Sequence, residues 1–294
     1  MRFVLRARAE ETTPSLRDEP KAPVVLPALF FVQFTCESVL MSWLEWLVVS
    51  AASAMGGFVD AIVGGGGLVL VPALFATFPN THPATLFGVN KGSSMWGTAA
   101  ASAHYARHVR MPWSTVGLSM ACAFAASMVG AWVVTQIQPD VLRKVLPLIL
   151  VAVLIYTLVK KELGRHHAPR LSAQHERAWM MGIAMVVGAY DGFFGPGTGS
   201  FFVILLVRVL GYDFLHASAA AKLLNLASNV AALLLFAYKG HIWWHVVVWT
   251  AMANVAGSLV GSRLAIRHGA GFVRGVFVVV VSLLIAKTGW DAYF

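Results

Sequence analysis

Residues 60–67 read DAIVGGGG and residues 191–199 read DGFFGPGTG. Each sets one aspartate ahead of a glycine cluster, in surroundings made mostly of Leu, Val, Ala, Phe and Trp. A glycine weakens a helix by about 1 kcal/mol relative to Ala, and proline by more, so both stretches mark places where a helix breaks. Sliding the sequence along itself by 131 positions lays one stretch on the other without a gap. Asp60 falls on Asp191, Gly64 on Gly195, Gly66 on Gly197, Lys91 on Lys222, Trp113 on Trp244, Ser127 on Ser258, Gly130 on Gly261 and Arg143 on Arg274. Residues 57–160 and 188–291 therefore read as two copies of one unit, an arrangement common in secondary transporters.

The setting of these breaks is a bilayer. The chain has 294 residues, 58% hydrophobic and 12% charged, with a mean hydropathy of +0.72, more apolar surface than a soluble fold can bury. The net charge of +9 would suggest a nucleic-acid partner in a soluble protein. Here the cations sit at the ends of apolar runs, at Arg107 and Arg110, Arg143 and Lys144, Lys160 to Arg177, and Arg263 to Arg274. There they favour anionic headgroups and set orientation, and no nucleic-acid partner is expected. Cys36 and Cys122 lie in unrelated apolar segments and give neither a disulfide framework nor a metal spacing.

A spanning helix needs about 20 mostly apolar residues. After a short apolar piece at 24–34, such windows lie at 39–59, 66–79, 85–105, 112–136 and 141–159, then at 178–192, 197–211, 214–238, 243–266 and 271–290. The expected fold is an all-α polytopic membrane protein of two homologous helical repeats, with about four or five membrane segments each, eight to ten in total. Residues 1–23 form a charged cytosolic arm, 24–160 the first membrane repeat, 161–177 a polar linker and 178–294 the second repeat. Placing the arm and the linker together on the cytoplasmic side by their positive charge implies an even number of crossings per repeat. Five crossings would instead invert the second copy, and both topologies stay open.

Non-helical backbone at membrane depth is tolerated only where it lines a cavity or packs inside protein. The turns at Gly64, Gly65, Gly66 and Gly67 and at Gly195, Gly197, Thr198 and Gly199 are thus candidate anion seats, because the helix that follows each break presents its positive dipole end. The alternative is that the glycines only allow close helix packing. On the binding reading, an added methyl costs about 1 kcal/mol or less and acts by blocking the backbone from a ligand.

Lys91, after Asn90, and Lys222 sit in the middle of apolar windows, where an ammonium costs roughly 2.5–3.5 kcal/mol. They either pair with Asp60 and Asp191 or face a small anion held between the repeats. The aspartates in turn either neutralise the lysines or take up a proton during transport. Lys222, Asn225 and Asn229 share a helical stripe, matched in the first copy by Lys91, Ser94 and Thr98, and both stripes can hydrogen-bond an oxyanion. His104 with His108, and His241 with His245, have i,i+4 spacing but lie at window ends with no Cys or carboxylate to complete a set, so no metal is expected. Trp43, Trp46, Trp113, Trp243, Trp244 and Trp290 read as an aromatic belt. No nucleophile with its base, no phosphate loop and no dinucleotide fingerprint occurs, so neither an enzyme nor a cofactor is expected.

The runs GGFVDAIVGGGGLVLVPAL and GVNK, with YDGFFGPGTGSF, AAAKLLNLASN and GSRLAI, resemble the TauE/SafE family of sulfite exporters, and within it the YfcA-like subgroup. The resemblance covers nearly the whole chain from about residue 45. It implies a multi-pass transporter of the bacterial inner membrane that exports small anions, generally sulfur-containing oxyanions or organosulfonates. Val89 stands where the family usually has Thr before the asparagine, which removes one hydroxyl. The function expected is secondary transport of such an anion by alternating access around a central site, with possible proton coupling. The competing readings are an intramembrane enzyme, a non-transporting scaffold and an anion channel.

Overall fold

Backbone amides away from water must find partners within the chain, and helices satisfy all but their ends locally. The computed structural model of the chain describes residues 41–109, 111–159, 171–268 and 290, all within one compact unit. The arm at 1–23, the apolar piece at 24–34, residues 160–170 of the basic linker, Arg110, Arg274 and nearly all of the 271–290 window lie outside the described residues.

The described chain is helical: α1 (Trp43–Val63), α2 (Gly67–Thr77), α3 (Pro83–His108), α4 (Trp113–Val134), α5 (Pro139–Val159), α6 (Ala173–Phe193), α7 (Thr198–Leu205, prolonged by a π-turn to Leu210), α8 (Phe214–Tyr238) and α9 (Trp244–His268). The ends are capped by sequence. Ser42 and Glu45 form a reciprocal capping box on α1, and the Asp213 carboxylate accepts the His216 amide of α8 at 2.7 Å. Gly64 closes α1 at φ +77°, its amide bonded to the Asp60 carbonyl at 3.0 Å.

After Gly64 the chain folds back. Gly66 abuts Gly56, and Leu70 lies beside the same Gly56, so α1 and α2 form a hairpin rather than one long helix. The eleven residues of α2 extend about 16 Å, roughly half a bilayer core. The hairpin of α6 and α7 is built alike: the Tyr190 hydroxyl donates to the Pro196 carbonyl at 2.6 Å, and the Tyr190 and Phe201 rings meet edge-to-face across it. The two hairpins enter from opposite ends. Trp46, Phe78 and Trp243 share one core cluster at one end, where Arg143 also donates to the Thr81 carbonyl. Met111, Leu171 and Tyr212 share the other cluster. α3 runs from the first cluster to the second and α4 runs back, and residues 42 and 171 lie at opposite ends.

Packing crosses the chain. α4 lies on α6 and α8, α9 lies on α1 and α3, and α3 meets α8. Small residues set these contacts: Gly192 approaches the Ser127 carbonyl, Gly130 that of Ala189, Gly257 that of Ala54 and Gly261 that of Phe58. The pattern of burial is that of a protein dissolved in lipid. Trp113, Trp132, Trp179, Val186, Leu148 and Trp249 are exposed, whereas Asp60, Asn90, Lys91, Asp191, Lys222 and Asn229 are buried. Three described helices, at Trp43–Ala61, Trp113–Val134 and Leu215–Tyr238, are long and apolar enough to cross a membrane.

At the end carrying Arg143, His82 stacks on His241 with ring centroids 4.8 Å apart, and His241 Nδ1 lies 3.4 Å from the Thr85 hydroxyl. Burial pushes both imidazoles below their ordinary value, helped by Arg143 at His82 and by His82 and Lys239 at His241. The fold thus favours the neutral rings, so the unfolded chain binds more protons as pH falls below about 6.5, and stability declines there. We expect the melting temperature to fall on acidification through that range and the fall to shrink in His241→Gln. An equal fall in the variant would remove these rings as its source.

Candidate functional site

The two hairpin tips meet. The Gly64 carbonyl accepts the Ser200 amide at 3.1 Å, and Gly67 faces Pro196. Around this junction each lysine reaches the aspartate of the opposite hairpin. Lys91 of α3 pairs with Asp191 Oδ1 at 2.7 Å, and Lys222 of α8 pairs with Asp60 Oδ2 at 2.8 Å. Lys222 also donates to the Asp60 carbonyl, and Thr98 to Asp60 Oδ2 at 3.4 Å. Side-chain exposure is 1% and 2% in the first pair, 5% and 13% in the second. Taking either ion from water costs several kcal/mol, so neither charge would be kept here without its partner.

Between the pairs lies a cavity offering about 20 Å³ to the centre of a water molecule, room for about one or two. Of the residues singled out in the sequence, Asp60, Gly64, Gly66, Gly67, Asn90, Lys91, Ser94, Asp191, Gly195, Gly197, Gly199, Asn225 and Asn229 line it. Four others stand outside. Lys222 and Thr98 lie beyond Asp60, Gly65 accepts the Leu68 amide within the turn, and the Thr198 hydroxyl caps locally on the Gly195 carbonyl at 2.7 Å. Asn229 and Asn225 share a weak bond of 3.4 Å. Gly195, at φ +93°, lets the Lys91 ammonium approach so closely that a Cβ would stand 2.8 Å from it. The starts of α2 and α7 open on the cavity through Gly66, Gly67, Gly197 and Gly199, and both present their positive dipole ends to it. The expectation of a low cost for alanine at the breaks needs correction at Gly64, Gly66 and Gly199, where a Cβ would meet backbone at 2.6 Å, that of Gly199, Gly56 and Gly64 in turn. Break and close packing coexist.

Sequence reasoning did not single out the polar contacts that hold the lysine helices. Ser93 of α3 bonds the hydroxyl of Thr250, Ser53 the Thr250 carbonyl at 2.6 Å, and the Asn254 amide the Ser53 carbonyl at 3.1 Å. The 131-residue offset held the signal, since it aligns Ser127 with Ser258: Ser127 donates to the Ser228 carbonyl at 2.7 Å and Ser258 to that of Gly97 at 3.1 Å.

Known proteins resemble this chain, with its apolar exterior and its charged, glycine-lined interior. The family model described as "Sulfite exporter TauE/SafE" matches residues 49–288. "Probable membrane transporter protein YfcA" of Escherichia coli (strain K12) is 33% identical over 276 residues, 92% of each chain. "Probable membrane transporter protein ORF9" of Sinorhizobium sp is 36% identical over 237 residues, 78% of this chain and 86% of the relative. A "Probable membrane transporter protein" of Haemophilus influenzae is 32% identical over 238 residues, 81% and 91% respectively. No solved structure matches the chain.

Proposed function

We propose a function on one premise: the chain belongs to the TauE/SafE family. It is a membrane transporter and not an enzyme. In our reading it is a secondary transporter that exports a small anion, a sulfur-containing oxyanion or organosulfonate, across the bacterial inner membrane. The observation that carries this reading is the pair of crossed, buried Lys–Asp contacts flanking a cavity where two hairpin tips meet. Such ions are expensive in a membrane protein and mark substrate or proton routes. The sulfur chemistry comes from the family's description alone.

Mechanistically, the chain is read as two inverted repeats. In support, α1, α2, α3 and α4 begin at 43, 67, 83 and 113, and α6, α7, α8 and α9 at 173, 198, 214 and 244, offsets within one residue of 131. Two hairpins entering from opposite ends, with matching long helices after each, fit one unit and its inversion. We read the end bearing residue 171 as cytoplasmic, on Arg107, Arg177, Arg208 and Arg263 near it against Arg143, Lys144 and Lys239 near the other. Rocking of the two halves would open the cavity to one side, then the other, with Lys91 as the cation that meets the anion.

Purified protein screened by thermal shift against sulfite, thiosulfate, sulfate, sulfoacetate, taurine and simple carboxylates tests the site. A ligand at 100 times its Kd should stabilise by about 2.7 kcal/mol, and Lys91→Met should abolish that response. Stabilisation by no anion, or an undiminished response in the variant, would overturn the central anion site.

A further inference from the structure

The two ion pairs are not equivalent. The Asp60 carboxylate holds Lys222 and Thr98 through Oδ2, and Lys222 is tied to the Asp60 backbone as well. Asp191 holds Lys91 through Oδ1, while its Oδ2 has no hydrogen-bond partner, although the residue is 1% exposed. Asn90 Oδ1 is the second orphaned acceptor on the same cavity wall. A buried unsatisfied acceptor costs about 1–3 kcal/mol, and more when it is charged. Two acceptor oxygens on one small cavity wall, with no protein donor, leave a place for a shared donor, a water or a proton.

We propose that the transported anion enters with one proton, and that Asp191 carries it on Oδ2. This deepens the central-site reading and rests on it. Once protonated, Asp191 becomes a donor, and its new O–H serves Asn90 Oδ1 directly or through one water, for which the cavity has room. The charge balance is the stronger argument. Empty, Lys91 and Asp191 sum to zero. A monoanion that takes the Asp191 carboxylate's place on Lys91 Nζ would leave one uncompensated negative charge in a buried site, which costs several kcal/mol. With the proton on Asp191, the loaded site holds the Lys91 cation, the bound anion and a neutral acid, again summing to zero. The proton crosses with the anion in one electroneutral step, so net export requires an outward anion gradient larger than the inward proton gradient.

The groups facing Asp191 leave this role to it. Lys91 approaches from α3 and remains the cation. Tyr190, its neighbour on α6, has its hydroxyl committed to the Pro196 carbonyl. Across the cavity, Asp60 of α1 and Lys222 of α8 hold each other. α4, packed on α6, contributes Ser127 at the Gly192 contact, and its one titratable side chain is Cys122.

The test uses the full chain in detergent, weakly buffered, with a pH-sensitive dye, titrated with methanesulfonate, a monoanion with no titratable group near neutrality. About one proton should be taken up per anion bound, and the apparent affinity should fall about tenfold for each unit that pH rises. In Asp191→Asn the anion should bind without proton uptake and independently of pH, whereas Asp140→Asn, at an exposed carboxylate in the first turn of α5, should keep the coupling. Binding without proton uptake in the wild type overturns the proposal, as does a requirement for sodium that choline cannot replace. The wild-type count can overturn the proposal even if Asp191→Asn fails to fold. If methanesulfonate and every screened anion fail to bind, the central site falls and the coupling with it.

Discussion

Replacing Lys91 with Met is expected to destabilise the folded protein by about 3–5 kcal/mol, the range for breaking a buried ion pair by removing one partner. Lys91 is 1% exposed, and its Nζ stands 2.7 Å from Asp191 Oδ1, so the substitution leaves a carboxylate with no compensating charge. The double variant Lys91→Met/Asp191→Asn should recover most of the loss, because a neutral pair of similar volume removes the desolvated charge altogether. Transport should be absent in both. The double variant is the informative one, since a purely structural pair predicts that restored stability restores flux. Thermal unfolding in detergent and uptake in proteoliposomes read the two quantities separately. A stable, actively transporting double variant would show that the pair holds the fold and nothing more.

The elements of the site were legible in the sequence, and their pairing was not. The break after Asp60, its counterpart after Asp191 and both mid-window lysines stand out because an apolar chain gives them no cheap explanation. Most helix positions were legible for the same reason: the windows at 112–136, 141–159, 214–238 and 243–266 correspond to α4, α5, α8 and α9 within a few residues. The window ending at 59 stops short of Val63 because Asp60 lowers its hydropathy, although the helix continues to its αL cap at Gly64. Each lysine follows the aspartate of its own half by 31 positions, a spacing equally compatible with a contact inside that half. The contact is made across instead, Lys91 with Asp191 and Lys222 with Asp60. Two facts of tertiary structure decide this. Each glycine run reverses the chain instead of kinking it, and the hairpins enter from opposite ends, so the tip of one is delivered to the long helix beside the other. Periodicity records which face of a helix is apolar, and carries no record of which hairpin will lie against it.

The junction of those tips sets up the other large effect. Gly64→Ala is expected to cost about 2–5 kcal/mol, from two independent causes. At φ +77° an L-residue pays roughly 1–2 kcal/mol for its left-handed backbone, and its Cβ would stand 2.6 Å from the Gly199 carbonyl carbon, overpacking that typically adds about 1–3 kcal/mol. The neighbour here is backbone of the facing hairpin and has no rotamer with which to yield. Gly199→Ala has ordinary φ but meets Gly64 backbone at the same 2.6 Å, so it isolates the packing cause and should cost less than Gly64→Ala. Gly182 supplies the control: it lies within α6 with nothing within 4 Å of an added Cβ, so alanine there should be neutral or stabilise by up to about 1 kcal/mol. Thermal unfolding of the three variants gives the order directly. If Gly64→Ala melts like Gly182→Ala, the tips do not touch as described, and the cavity between them loses its walls.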